Sequence, residues 1–151
     1  MNTTFEAELN NNGKLVFTNV GFSMLPLLRE GKDVMIIERA DTYRRLDAVL
    51  FRRPGVTGRG EYVLHRILKI RRDGTYWIVG DNCLSGEDVR RENILGVLTG
   101  IKRGDRLIRV TDLRYRLYVL FWAAPYHFRF LIMRLRRFIR RGKGWLKRHV
   151  F

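Results

Sequence analysis

The stretch Glu61-Tyr62-Val63-Leu64-His65-Arg66-Ile67-Leu68-Lys69-Ile70-Arg71, followed by Arg72-Asp73-Gly74 and then Thr75-Tyr76-Trp77-Ile78-Val79, decides the fold class. Its first part alternates Tyr62, Leu64, Arg66 and Leu68 against Val63, His65, Ile67 and Lys69. That is the two-residue period of a strand whose side chains point to opposite faces in turn. Asp73-Gly74 is a turn signal, so 61–71 and 75–79 read as the arms of a hairpin. Working outward, Lys14–Asn19 alternates around Leu15 and Phe17, and Asp33–Glu38 is rich in apolar and β-branched residues. Asp47–Arg53 reads as a strand ending at Pro54, while Ile94–Lys102 and Arg106–Val110 are joined at Gly104-Asp105. Short, closely spaced strands with these turns predict an all-β body. A short amphipathic helix is expected over Thr3–Asn11, with Phe5 and Leu9 on one face, and Pro54–Gly60 reads as a flexible loop.

After Asp112 the period changes. Asp112 is a suitable N-cap for a helix starting at Leu113, and Pro125 should kink or break it. From Tyr126 to Arg141 the residues Phe128, Leu131, Ile132, Leu135, Phe138 and Ile139 recur at helical spacing, and Gly142 and Gly144 are expected to end the helix. Charge divides at the same place. Residues 1–100 hold 15 Lys/Arg against 13 Asp/Glu, while 101–151 hold 15 Lys/Arg against only Asp105 and Asp112. The expected organisation is thus a nearly neutral β domain over 1–111 and a basic amphipathic helical tail over 112–151. Such a tail seeks an anionic surface, either acidic lipid or nucleic acid.

The chain of 151 residues is long enough for one domain with a real core. Its single cysteine, Cys83, excludes an internal disulfide and reads as a turn residue. Met1–Asn12 is polar and acidic and lacks the apolar run of a signal peptide or membrane anchor. Leu117–Met133 is the longest apolar run, but Pro125, His127 and Arg129 interrupt it. It suits a helix lying in a membrane interface better than one crossing it.

Six short blocks carry the chemistry. Gly21-Phe22-Ser23-Met24-Leu25-Pro26-Leu27-Leu28 sits in a turn between strands, and Gly31-Lys32-Asp33-Val34 and Leu46-Asp47-Ala48-Val49 follow. Leu64-His65-Arg66-Ile67 lies inside the long strand, and Gly80-Asp81-Asn82 and Gly96-Val97 come after it. Taken singly, Ser23 is a turn serine and His65 a core histidine. In this order and spacing the blocks resemble signal peptidase I enzymes over Gly13–Lys102. The closest variant is the compact one that has histidine as general base and no amino-terminal membrane helix.

The resemblance implies a mainly β, coiled-sheet domain of the signal-peptidase/LexA type and a serine endopeptidase activity. Ser23 corresponds to the nucleophile, with its own N–H helping to hold the oxyanion. Met24 would pack beneath the site, and Pro26 would rigidify the turn. His65 corresponds to the general base. Asp88 corresponds best to an aspartate that assists it, as in the endoplasmic-reticulum, archaeal and sporulation-type members of the family, though its gap from Asp81 is one residue longer than in the reticulum members. Asp81, within Gly80-Asp81-Asn82, corresponds to a turn that orients the site, and which of Asp81 and Asp88 orients His65 stays open. Glu87 reads as solvated. No metal or cofactor is implied, and the partner is a peptide or protein substrate.

A serine hydroxyl is a poor nucleophile until a base takes its proton, and a histidine near its ordinary pKa is largely neutral at pH 7 and suited to the task. Lys69, the alternative base on the same strand face, lies about 13 Å along the strand from His65. The chain departs from the family's pattern at Gly21 and Leu27, where hydroxyl residues are common.

For the tail, the expected partner is an anionic membrane surface met by Arg129, Arg134, Arg136, Arg137, Arg140 and Arg141. This places the protein in the cytoplasm, peripheral on the inner face of the membrane. The alternatives are a C-terminally anchored protein, and a non-catalytic body that binds membrane or nucleic acid through the tail. Nucleic acid is the less favoured ligand, because the arginines flank a continuous Leu/Ile/Phe stripe. A self-cleaving DNA-binding regulator is not expected, since Met1–Asn12 is too short for a helix-turn-helix.

Overall fold

The computed structural model describes residues 5–18, 20–53 and 61–149, with side chains described as far as Ile139. Strand residues outnumber helical ones, so the chain is mainly β. Helix α1 (Phe5–Asn12) leads into β1 (Lys14–Thr18), β2 (Asp33–Glu38), β3 (Ala48–Arg53), β4 (Glu61–Ile70), β5 (Tyr76–Val79) and β6 (Gly86–Val89). After one 3-10 turn come β7 (Ile94–Arg103), β8 (Arg106–Arg109), α2 (Leu113–Tyr118), a π-helical turn (Val119–Ala123) and α3 (Tyr126–His149). The expected loop at Pro54–Gly60 lies outside the described residues.

The strands form one curled sheet in the order β1-β2-β7-β3-β4-β5-β6, and every pairing is antiparallel. The long β7 gives one edge to β2 and shares the other between β3 and β8. The alternation read in the sequence becomes two cores. Leu50 and Leu64 face one, with Leu15, Met35, Ile37 and Leu98. Val49, Phe51 and Ile67 face the other, with Tyr43, Ile78 and Ile94. The β4–β5 hairpin turns where expected: Gly74 adopts φ +82°, and the Asp73 carboxylate accepts hydrogen bonds from the Thr75 N–H and hydroxyl. Strand β6 was not foreseen, because Gly86-Glu87-Asp88-Val89 carries no apolar alternation. Pairing with β5 creates it.

The helical segment departs from expectation in four ways. Asp112 occupies the N-cap position of α2, but its carboxylate accepts from the Arg109 N–H at 2.8 Å instead of capping the helix. Gly142 and Gly144 do not end α3, which runs on to His149. A glycine costs a helix about 1 kcal/mol, which weakens without terminating it. The first part of the segment is not a free tail: Tyr115, Ala123, Tyr126, Arg129 and Met133 are buried, and Trp77 meets Tyr126 and Phe130 edge-on. Finally, Leu117–Met133 is not one helix but is divided before Tyr126, and no helix among the described residues is long and apolar enough to cross a membrane.

Candidate active site

Ser23 stands in the connection between β1 and β2. Around it the chain makes two tight turns, the Leu25 N–H donating to the Phe22 carbonyl and the Leu28 N–H to the Met24 carbonyl. Met24 and Leu28 are buried in the first core and root the turn there, and the Leu25–Pro26 bond is cis. The Gly80-Asp81-Asn82 turn clamps it from outside. The Asn82 N–H donates to the Ser23 carbonyl at 2.7 Å, and Asn82 Nδ2 to the Phe22 carbonyl at 3.1 Å.

His65 lies mid-strand in β4, opposite Val49 of β3, with its side chain only 9% exposed. It shares a cavity of about 710 Å³ with Ser23, Cys83, Phe17, Val20 and Tyr62. Gly80 permits the approach of these parts. A Cβ there would stand 2.7 Å from the Ser23 carbonyl oxygen, 2.8 Å from Cys83 Sγ and 3.0 Å from His65 Nε2. All three therefore bound one methyl-sized space. Neither His65 nitrogen makes a hydrogen bond, so the Ser23 hydroxyl is not bonded to the ring in this structure. Catalytic hydrogen bonds are often long in unliganded proteins and tighten only with substrate.

Glu87 is the carboxylate beside the imidazole. Its Oε1 lies 3.7 Å from Nδ1, close enough for charge interaction but too far for a hydrogen bond. Arg53 holds that carboxylate through both oxygens. Asp88 faces elsewhere and pairs with Arg71, with Nε 2.6 Å from Oδ1. The cause is the pleat: Glu87 aligns with Ile78 and Asp88 with Trp77, and a step of one residue turns a side chain to the opposite face. The expectation that Asp88 assists His65, and that Glu87 is solvated, is corrected accordingly.

Asp81 is completely buried and makes no hydrogen bond to the imidazole, although its charge raises the His65 pKa. It accepts from Arg66 Nε (2.9 Å) and Nη2 (2.8 Å), the Tyr118 hydroxyl (2.7 Å) and Arg129 Nη1 (3.3 Å). Burial alone would raise its pKa, but the Arg66 and Arg129 guanidiniums and the Tyr118 hydroxyl hold it below the usual range. His65 and Arg66 are neighbours in β4 and so serve opposite sides, His65 the cavity and Arg66 this network. Lys69 sits over the Trp77 and Tyr126 rings, away from Ser23. Burial raises the Cys83 thiol pKa, keeping it protonated near neutral pH. Among the described residues, no His, Cys, Asp and Glu side chains gather as metal ligands would.

Burial pushes the His65 imidazole down to about 4, Glu87 partly offsets this, and Arg53 adds to it. The ring is therefore neutral at pH 7 and available as a base. Its folded pKa lies below the unfolded value of 6.5, so the unfolded chain binds the extra proton between pH 6.5 and 4. This contribution to stability is complete above pH 6.5 and lost as pH falls towards 4. The loss amounts to about 3 kcal/mol. Urea unfolding at stepped pH should show that slope in the wild type and not in His65→Phe. An identical slope in both would remove His65 as its source.

A larger cavity, about 830 Å³, lies under α2 and is lined by Arg44, Leu46, Ala48, Leu98, Tyr115 and Leu117 among others. It contains no serine, histidine or cysteine, so size does not mark the chemistry here. The chain matches no protein-family model, no curated protein and no solved structure. The assignment of function therefore rests on the residues themselves.

Proposed function

We propose that the protein is a serine endopeptidase that hydrolyses a peptide bond through an acyl-enzyme on Ser23, with His65 as general base. One observation carries the reading. Ser23 and His65, 42 positions apart in the chain, line one cavity, and the imidazole there is neutral with both nitrogens uncommitted. In the proposed reaction the Ser23 hydroxyl attacks the substrate carbonyl and gives its proton to His65 Nε2, the nitrogen facing Gly80. Glu87, on the Nδ1 side, stabilises the imidazolium that forms. His65 then protonates the leaving amine, and water, deprotonated by the same imidazole, releases the acyl group. Signal-peptidase-like cleavage of a leader segment is the finer form of this proposal and rests on the sequence blocks alone.

A serine-directed fluorophosphonate tests it. Wild type should be labelled at Ser23, and labelling should vanish in Ser23→Ala and slow at least a hundredfold in His65→Gln. Label that persists in Ser23→Ala, or a wild type that never reacts, would discredit the assignment. The second reading is a non-catalytic body that acts through its basic helix. The absence of a Ser23–His65 hydrogen bond favours it, and an unreactive wild type would select it.

A further inference from the structure

We infer that the outward side of α3 forms a docking surface for an anionic lipid bilayer, lying in its interface and not crossing it. This stands independently of the peptidase proposal. Of the fourteen large apolar side chains that the described residues leave exposed, nine fall between Leu113 and Ile139. Such concentration marks an interaction surface, whereas scattered exposure would not.

Helix α3 has two apolar sides. At 3.6 residues per turn, buried Tyr126, Arg129 and Met133 lie roughly 180° around the axis from Phe128, Leu131, Leu135 and Phe138. Those four are 63%, 63%, 57% and 76% exposed. Arg129 sets this rotation: it was expected at the lipid headgroups but points inward to Asp81 and is 1% exposed. With that side pinned to the body, the opposite stripe has no cover among the described residues.

Charge chooses the occupant. Arg134 borders the stripe beside Phe138 and is exposed, whereas Arg136 and Arg137 turn toward the body and line a cleft with Leu25, Pro26 and Asn82, and no acidic residue follows Asp112. The side chains of Arg140 and Arg141 lie outside the described residues. A second copy would bring arginine against arginine across the contact, and a nucleic acid would leave the Leu/Phe stripe in water. An anionic bilayer satisfies both at once, arginines at the phosphates and apolar side chains at the acyl boundary.

The test is flotation of the full chain with vesicles of phosphatidylcholine, with and without phosphatidylglycerol. Binding should require the anionic lipid and weaken with salt. The double variant Leu131→Glu, Leu135→Glu should lose at least tenfold per leucine. Gln at Arg134 should lose about fivefold at low salt. If the double variant fails to fold, Phe138→Glu, at the most exposed position on the stripe, reads the same loss. The inference is overturned by absence of vesicle binding, by binding that survives the stripe substitutions, by a concentration-dependent dimer that those substitutions dissolve, or by RNA that competes the vesicles away.

Discussion

Replacing Asp81 with alanine lowers the free energy of unfolding by about 3–5 kcal/mol, because two buried guanidiniums lose their counter-ion together. Arg66 and Arg129 are 0% and 1% exposed, and neither has another carboxylate in reach among the described residues. Arg66 keeps only the Leu46 carbonyl and the Tyr115 hydroxyl. The Tyr118 hydroxyl, whose pKa burial and the Asp81 charge raise, also loses its acceptor. A typical domain has about 5–15 kcal/mol in all, so the variant is near the edge of folding. Asp81→Asn keeps the shape and loses the charge, and falls most of the way. Arg129→Met costs far less: Asp81 retains its paired contacts from Arg66, and Arg129 already leaves Nε and Nη2 unpartnered in a buried place. Urea midpoints at constant slope measure the series. A loss below about 1 kcal/mol in Asp81→Ala would mean that the network is not as dry as its burial indicates.

On the proposed mechanism, Ser23→Ala and His65→Ala each lower kcat by about 10⁴-fold or more, and the double variant is no slower than either. Nucleophile and base act as a unit, so the second removal has nothing left to take away. Glu87→Gln should reduce kcat/KM by about tenfold to a hundredfold, since it removes the only carboxylate placed at Nδ1 among the described residues. Asp88→Asn should leave it unchanged, its partner being Arg71. Arg53→Gln frees Glu87 and removes a charge that depresses the His65 pKa, so the acid limb of the pH profile should move upward from about 4. Steady-state kinetics on a cleavable peptide, once one is found, separates these outcomes. Additive losses for Ser23 and His65, or an effect at Asp88 larger than at Glu87, would require a different catalytic group.

The strands were legible because burial on a pleated sheet imprints a period of two, and β4 carries it over ten residues. The Ser23 and His65 blocks could be read because each is a compact local pattern. The partner of His65 could not. Glu87 and Asp88 are adjacent carboxylates, and only the register of β6 against β5 decides which one faces the cavity. Nothing in four residues without apolar alternation announces that register. Arg129 was hidden for a related reason. An arginine beside an apolar stripe reads as solvated, and its buried partner is 48 residues away. The 142–149 part of α3 was missed because glycine is a tendency and not a stop.

The three-residue turn Gly80-Asp81-Asn82 has a temporal consequence. Asn82 steadies Ser23, which is made long before it, while Asp81 waits for Arg129, which is made long after. During synthesis at the ribosome, the Asp81 network is thus completed only when the downstream helix has emerged and docked. A nascent chain stalled before that point holds Asp81 on Arg66 alone, without the Tyr118 and Arg129 contacts.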